Sequence, residues 1–287
     1  MAIRNALPFE FPWRWDDIRR FFGKMEDEAV DYLDQRDRDL EDFLATLGGG
    51  VPTLFAASAN ATDKSKSYAD VVCSGTDDDV DLNALLTEIG TDGGRLFLSE
   101  GDFNITNSII LGYGQSIQGL RDATFLEMGV TGTGVELRDY GFVRDISISG
   151  FGGVGSIGVN VSGDNGTVEG CVFTGWETGV RVGGFIEDNS ILHNRFYGGK
   201  VGVRIVGDHS LIQGNYLNAE LRIADGSGSR VLGNRFGPTS TAKIYVDAAA
   251  TSACFSDNYL NGAGLSRFFD SGTNTMRGTN FSDGGTW

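Results

Sequence analysis

VRDISI (143–148), VEGCVF (168–173), ILHNRF (191–196), IQGNYL (212–217), VLGNRF (231–236), FSDNYL (255–260) and MRGTNF (276–281) stack into one six-residue motif that returns every 19 to 25 residues. Each copy places an apolar residue first, Asn or a substitute fourth, and an apolar or aromatic residue sixth. A period of this length predicts a solenoid, because one unit buries its apolar side chains only against its neighbours. The two apolar anchors stand five residues apart, an odd number, so an unbroken strand would point them to opposite faces. A bend between them returns both to the interior. Asn194, Asn215, Asn234 and Asn258 are expected at that bend, since Asn tolerates the left-handed conformation and its amide can bond neighbouring backbone.

A further strand follows the motif: IGVNV (157–161), GVRV (179–182), GVRI (202–205), ELRI (220–223) and KIYV (243–246). Its apolar residues alternate with polar ones, as a half-buried strand requires. Strand-rich repeats with Asn recurring at one position predict a parallel β-helix rather than an antiparallel sandwich. Upstream, about 80–89 reads as a short helix with Asp79 or a neighbouring acid at its cap, placed to cover the open end of the solenoid.

Ahead of this domain three segments are expected. Residues 1–14, broken by Pro8 and Pro12, read as an extended anchoring peptide, and Phe9, Phe11, Trp13 and the adjoining Trp15 suit the anchor. Residues 15–47 read as an α-helical coiled-coil segment for self-association, from the 4-3-4-3 spacing of Ile18, Phe22, Met25, Ala29 and Tyr32. Residues 48–67, rich in Gly, Ala and Ser, read as a linker, and 68–287 as the β-helix.

Forty-three glycines against four prolines suit many tight turns, and the formal charge of −16 disfavours nucleic acid as a partner. No apolar run has signal-peptide or membrane-spanning length, so folding in a cytoplasm without membrane insertion is expected. Cys73, Cys171 and Cys254 form neither a disulfide framework nor a metal spacing. The acidic run Asp77–Asp79 is read as helix capping rather than a calcium site, so no metal or other cofactor is expected.

The segment SYADVVCSGTDDDVDLNALLTEIGTDGGRLFLSEGDFNI (67–105), followed by coils of the Ile-x-x-Asn-x-Phe type, resembles the pectin-lyase-like right-handed parallel β-helix of pectate lyases and phage tailspikes. YLDQRDRDLEDFLA (32–45) is similar to segments near the start of tail proteins from actinobacterial phages. The resemblance implies a homotrimeric tail spike or tail fibre component of a virion. Residues 1–47 would contact other virion proteins, and the β-helix would face a host cell-surface glycan or protein. That fold also serves hydrolases and lyases, so a polysaccharide-degrading spike and a head-decoration fibre are the alternatives.

Glycoside hydrolysis needs two carboxylates around the scissile bond. Asp145, Glu169, Glu177, Glu187 and Asp188 are candidates, but no repeated spacing pairs them, and His193 sits at a bend where a structural role is expected. No catalytic residue is assigned. One outward column stands out: Asn160, Arg181, Arg204, Arg222 and Tyr245 occupy the middle of successive strands. Stacked arginines repel unless acids such as Glu177 and Glu220 or an anionic partner compensate them, so Arg181, Arg204, Arg222 and Tyr245 form the candidate binding stripe.

Overall fold

In a computed structural model the motif becomes two short strands meeting at the Asn, and the following segment supplies a third. One turn runs Ser190–Leu192, Arg195–Tyr197 and Val201–Ile205. The structure describes residues 52–129, 131–239, 241–261, 267–282 and 285–286. The expected anchor 1–14 and helix 15–47 lie outside the described residues. Every strand pairs in parallel with its counterpart in the neighbouring turn, up to a final antiparallel pair at Phe281–Ser282 and Gly285–Thr286. The third strands form a separate eight-stranded sheet, so the chain makes a parallel β-solenoid of about eight turns. Neighbouring turns therefore lie about 4.8 Å apart.

The anchors point inward as their spacing requires. Val168, Ile191, Ile212, Val231 and Phe255 stack in one buried column, and Phe173, Phe196, Leu217, Phe236 and Leu260 in another. Val180/Val182, Val203/Ile205, Leu221/Ile223 and Ile244/Val246 close the core from the third sheet. Phe173 and Phe196 stack with centroids 5.0 Å apart and planes 7° from parallel. Truncating such a ring to Ala costs about 3–5 kcal/mol, because rigid strands on three sides cannot collapse into the gap.

At the first corner Asn194, Asn215, Asn234, Asn258 and Asn280 are buried in one ladder. Asn194 Oδ1 accepts from the Cys171 N–H at 2.9 Å, and from Asn215 on each Oδ1 accepts from the backbone N–H and the amide of the preceding Asn: Asn215 takes Asn194 N at 2.8 Å and Asn194 Nδ2 at 3.1 Å. Each Nδ2 also donates to a strand carbonyl one turn back, as Asn215 does to Ile191 at 2.8 Å. The left-handed residue is not the Asn, as the sequence suggested, but the one before it. His193, Gly214, Gly233 and Asp257 have φ of 55°, 67°, 61° and 58°. The Asn keeps ordinary backbone angles and spends its side chain on the ladder. The last copy is also shifted by one residue. Arg277 pairs with Phe255 and Asn280 joins the ladder, so the motif there is RGTNFS rather than MRGTNF.

The two ends are closed differently. Helix Asp78–Ile89 packs Leu82, Leu85, Leu86 and Ile89 into the core at the first turns. Its acids do not cap it: Asp77 is left-handed with no side-chain cap bond. Asp78 instead accepts from Gly75 N and Asn104 N, both at 2.8 Å, and Asp79 accepts from Thr106 N at 2.8 Å. They staple the helix to the strand Gly101–Ile105 and the residue after it. The expected linker is also corrected over its described part. Thr53–Ala57 is a strand pairing with Arg95–Leu98, and Asp63–Tyr68 is a short helix capped by Thr62. At the other end Arg277 takes an anchor position, lies 4.3 Å from the Phe268 ring centroid and pairs with Asp270 at 2.8 Å. There a cation, rather than an apolar side chain, packs over the ring.

Candidate functional site

Register places the predicted stripe in a single column on the third sheet. Asn160 pairs with Arg181, Arg181 with Arg204, Arg204 with Arg222, Arg222 with Tyr245, and Tyr245 with Phe269. These residues face out because their neighbours at ±1 fill the core. Arg222 is neutralised within the chain. Its Nε and Nη2 reach Asp247 Oδ2 at 2.8 and 2.7 Å, and its Nη1 lies 3.9 Å from Glu220. Burial pushes the Glu220 carboxyl above its usual range, offset in part by Arg222 and Lys200. Arg181 and Arg204 are exposed and have no ion pair or hydrogen bond among the described residues. Glu177, one of the acids expected to compensate them, is engaged by Lys200 at 3.9 Å and by the Gly155 N–H.

The column therefore changes character along the axis. At one end Asn160 donates to both Glu136 oxygens at 3.1 and 3.0 Å, and its own buried Oδ1 has no partner. Two unneutralised guanidinium groups follow on adjacent turns. Beyond Arg222, Tyr245 and Phe269 stack at 4.7 Å with planes 10° apart, and Lys243 Nζ lies 5.7 Å from the Phe269 centroid. Five forked donors per guanidinium can hold carboxylate or phosphate oxygens, and a stacked aromatic pair offers an apolar platform for a ring. Phe9, Phe11, Trp13 and Trp15 lie outside the described residues.

The structure also pairs two acids that the sequence left apart. Arg144 on one turn is opposite Glu169 on the next, with Nη2 3.2 Å from Glu169 Oε2 and Nε 3.5 Å from Asp145 Oδ2. Burial pushes Asp145 above the usual carboxylate range, Arg144 and Arg121 pull it back, and Glu169 adds to the rise. One guanidinium thus bridges two partly exposed carboxylates of adjacent turns.

The remaining candidates have structural places. His193 is left-handed and lies over Gly214, where an added Cβ would come 2.5 Å from its Nδ1. His209, left-handed at another corner, lies over Gly228 in the same way. Glu187 and Asp188 are exposed at that corner, within a second ladder that the sequence reading missed. There Asp139 accepts from Asp164 N at 2.9 Å, and Asp164 from Glu187 N at 2.8 Å. Its signal was an acid ahead of each left-handed residue: Asp139–Tyr140, Asp164–Asn165, Glu187–Asp188 and Asp208–His209. Cys73, Asp78 and Asp81 offer atoms within 4.8 Å of one another. Burial, with Asp78 and Asp81, pushes the Cys73 thiol up to about 12, and both Asp78 oxygens already accept backbone N–H groups. That set is a poor metal ligand.

No protein-family model and no curated protein matches the sequence. Among solved structures, the catalytic domain of a GH87 alpha-1,3-glucanase in complex with nigerose is 16% identical, with TM-score 0.45, over 74% of this chain and 44% of that one. ORF18 of Geobacillus virus E2 is 12% identical, with TM-score 0.37, over 85% of this chain and 63% of that one. The A-module of the Azotobacter vinelandii mannuronan C-5 epimerase AlgE4 is 13% identical, with TM-score 0.37, over 72% and 79%. The chain spans less than half the length of the glucanase domain. With scores below 0.5, none of these likenesses carries a functional argument.

Proposed function

We propose that this chain is a host-recognition component of a phage virion, a trimeric tail spike or fibre, whose right-handed β-helix holds an anionic cell-surface glycan against Arg181 and Arg204. Residues 1–47 dock it to other virion proteins and hold the copies together. The observation that carries the binding role is the pair of in-register guanidinium groups with no acceptor among the described residues. Like charges on neighbouring strands are unfavourable alone, and an external polyanion turns that cost into affinity. The Tyr245/Phe269 platform, on the turns just beyond Arg222, adds a surface for a sugar ring. The sequence resemblance to phage tail proteins supports the virion setting. The test is binding of the full-length chain to polygalacturonate and to neutral dextran. Binding to the acidic polymer alone, lost in R181A/R204A, is the expected result. Equal binding by the wild type and that variant removes the stripe from the account.

A second reading, cleavage of a surface polysaccharide, is favoured by one observation, the bridged pair Asp145 and Glu169. Release of reducing ends from host envelope glycan, abolished by D145N and by E169Q, would establish it. No release by the wild-type chain would leave recognition alone.

A further inference from the structure

The second strands carry another outward column, formed by the fifth residue of each motif. Arg195, Tyr216, Arg235, Tyr259 and Phe281 pair in succession through the ladder. The side chains lean on one another. The Arg235 guanidinium lies 5.9 Å from the Tyr259 centroid, and Tyr216 meets the adjacent Tyr197 at 5.7 Å with planes 49° apart. Tyr216 also donates its hydroxyl proton to Asn218 Oδ1 at 3.2 Å. Arg195 and Arg235 make no ion pair among the described residues. No carboxylate occupies an outward position of the second strands from Val172 to Phe281, in a chain of net charge −16.

The period of this column differs from that of the third sheet. Arginine recurs on every second turn, about 9.6 Å apart, and tyrosine recurs on the turns between. On the third sheet arginine recurs on every turn. An extended polysaccharide lying along the axis advances by roughly one strand spacing per sugar. A guanidinium would then meet every second sugar, and an aromatic ring the sugar between.

We infer that the second-strand face binds an acidic polysaccharide with a disaccharide repeat, carrying one anionic group per two sugars and running parallel to the solenoid axis. This rests on the reading of the chain as a glycan-recognition protein and adds to it a second lane with its own charge spacing. The Arg side chains pair with the anionic groups, and Tyr216 and Tyr259 pack against the faces of the intervening rings. Arg and Tyr also serve protein interfaces, and it is the regular alternation of charge along the axis, rather than the residue types, that favours a polysaccharide.

The test uses the full-length chain, titrated calorimetrically with two alternating polymers, hyaluronan and unsulfated chondroitin oligosaccharides. Oligogalacturonate, charged at every sugar, and dextran, uncharged, are the comparators. At least one alternating polymer is expected to bind. R195A/R235A should weaken it about tenfold or more, Y216A should weaken it less, and R181A/R204A should cost the alternating polymers less than R195A/R235A does and cost oligogalacturonate more. Circular dichroism melting of each variant confirms that the changes at the exposed arginines and at half-buried Tyr216 leave the fold intact. The inference is overturned if neither alternating polymer binds, or if R181A/R204A removes that binding while R195A/R235A does not. In either case oligogalacturonate binding that depends on Arg181 and Arg204 would leave the proposed function standing. If R195A/R235A dissociates the assembly in sedimentation velocity, the face is a contact between copies and the inference falls.

Discussion

Two columns of like residues run along this solenoid, and they solve opposite problems. Inside, Asn194 to Asn280 stack without loss, because an amide carries both donor and acceptor and each copy satisfies the next. Outside, Arg181 and Arg204 stack with donors only, so repetition leaves them with charge and no acceptor. The interior ladder is complete in itself. The exterior column finds no acceptor among the described residues. Repetition of a residue in a β-solenoid thus marks structure where the side chain is self-complementary, and a candidate surface for a ligand, as proposed above, where it is not.

The comparison breaks most readily at its interior member. Asn215→Ala strands the Asn194 N–H and the Ile191 carbonyl in a dry core, and should cost about 2–4 kcal/mol, read as a fall in thermal midpoint. An unchanged midpoint would mean that the ladder is decoration. Asp79 gives a smaller effect that depends on acidity. Burial alone would raise its carboxyl, but hydrogen bonds from Thr106 and Asn107 outweigh burial and hold it below the usual range. The folded chain then binds fewer protons than the unfolded one, so this stability is present at neutral pH and lost as pH falls through the carboxylate range. Asp79→Asn should lower the midpoint at pH 7, with the gap to wild type closing on acidification.

Asp145 should behave in the opposite sense, because its carboxyl sits above the usual range. The folded state takes the proton more readily, so stability declines as pH rises from the ordinary carboxylate range through the raised value. Asp145→Asn should therefore raise the midpoint near neutrality and match the wild type in acid. Paired melting curves across pH would show whether the two acids diverge. The smallest stability effect belongs to the arginines. Arg204→Ala should change stability by no more than about 0.5 kcal/mol, read as a nearly unmoved midpoint, since the removed group is exposed and repelled by its neighbour. A large loss would show that the column is held by the chain after all.

Much of this was legible because the solenoid repeats its chemistry in register. The five-residue spacing of Ile191 and Phe196 announced a corner, and the alternation in GVRV and GVRI announced a sheet with an outward arginine. Thr53–Ala57 escaped notice because TLFAA neither alternates nor stands apart from a Gly-, Ala- and Ser-rich background, and only its pairing with Arg95–Leu98 makes it a strand. The last copy was misregistered because Met276 is apolar and Arg277 is not, whereas the anchor position there holds a cation packed over the Phe268 ring. The Asp145–Glu169 pair was legible in part. Arg144 and Glu169 are both second in their motifs and so face each other across the turns, but no spacing shows that one guanidinium also reaches Asp145. The Arg195–Tyr216–Arg235–Tyr259 column was readable in principle, since every member is fifth in its motif.

The Asn ladder has one more consequence, for length. Each amide accepts from the turn before it and donates back to that turn, so every interior turn presents the same amide face above and below. An additional turn placed between Asn215 and Asn234 would meet matching partners on both sides and leave no buried group orphaned. The molecule is in this sense a ruler graduated in whole turns. Its reach and the number of recognition groups it displays can change by insertion or deletion of a single graduation, while the chemistry inside stays the same.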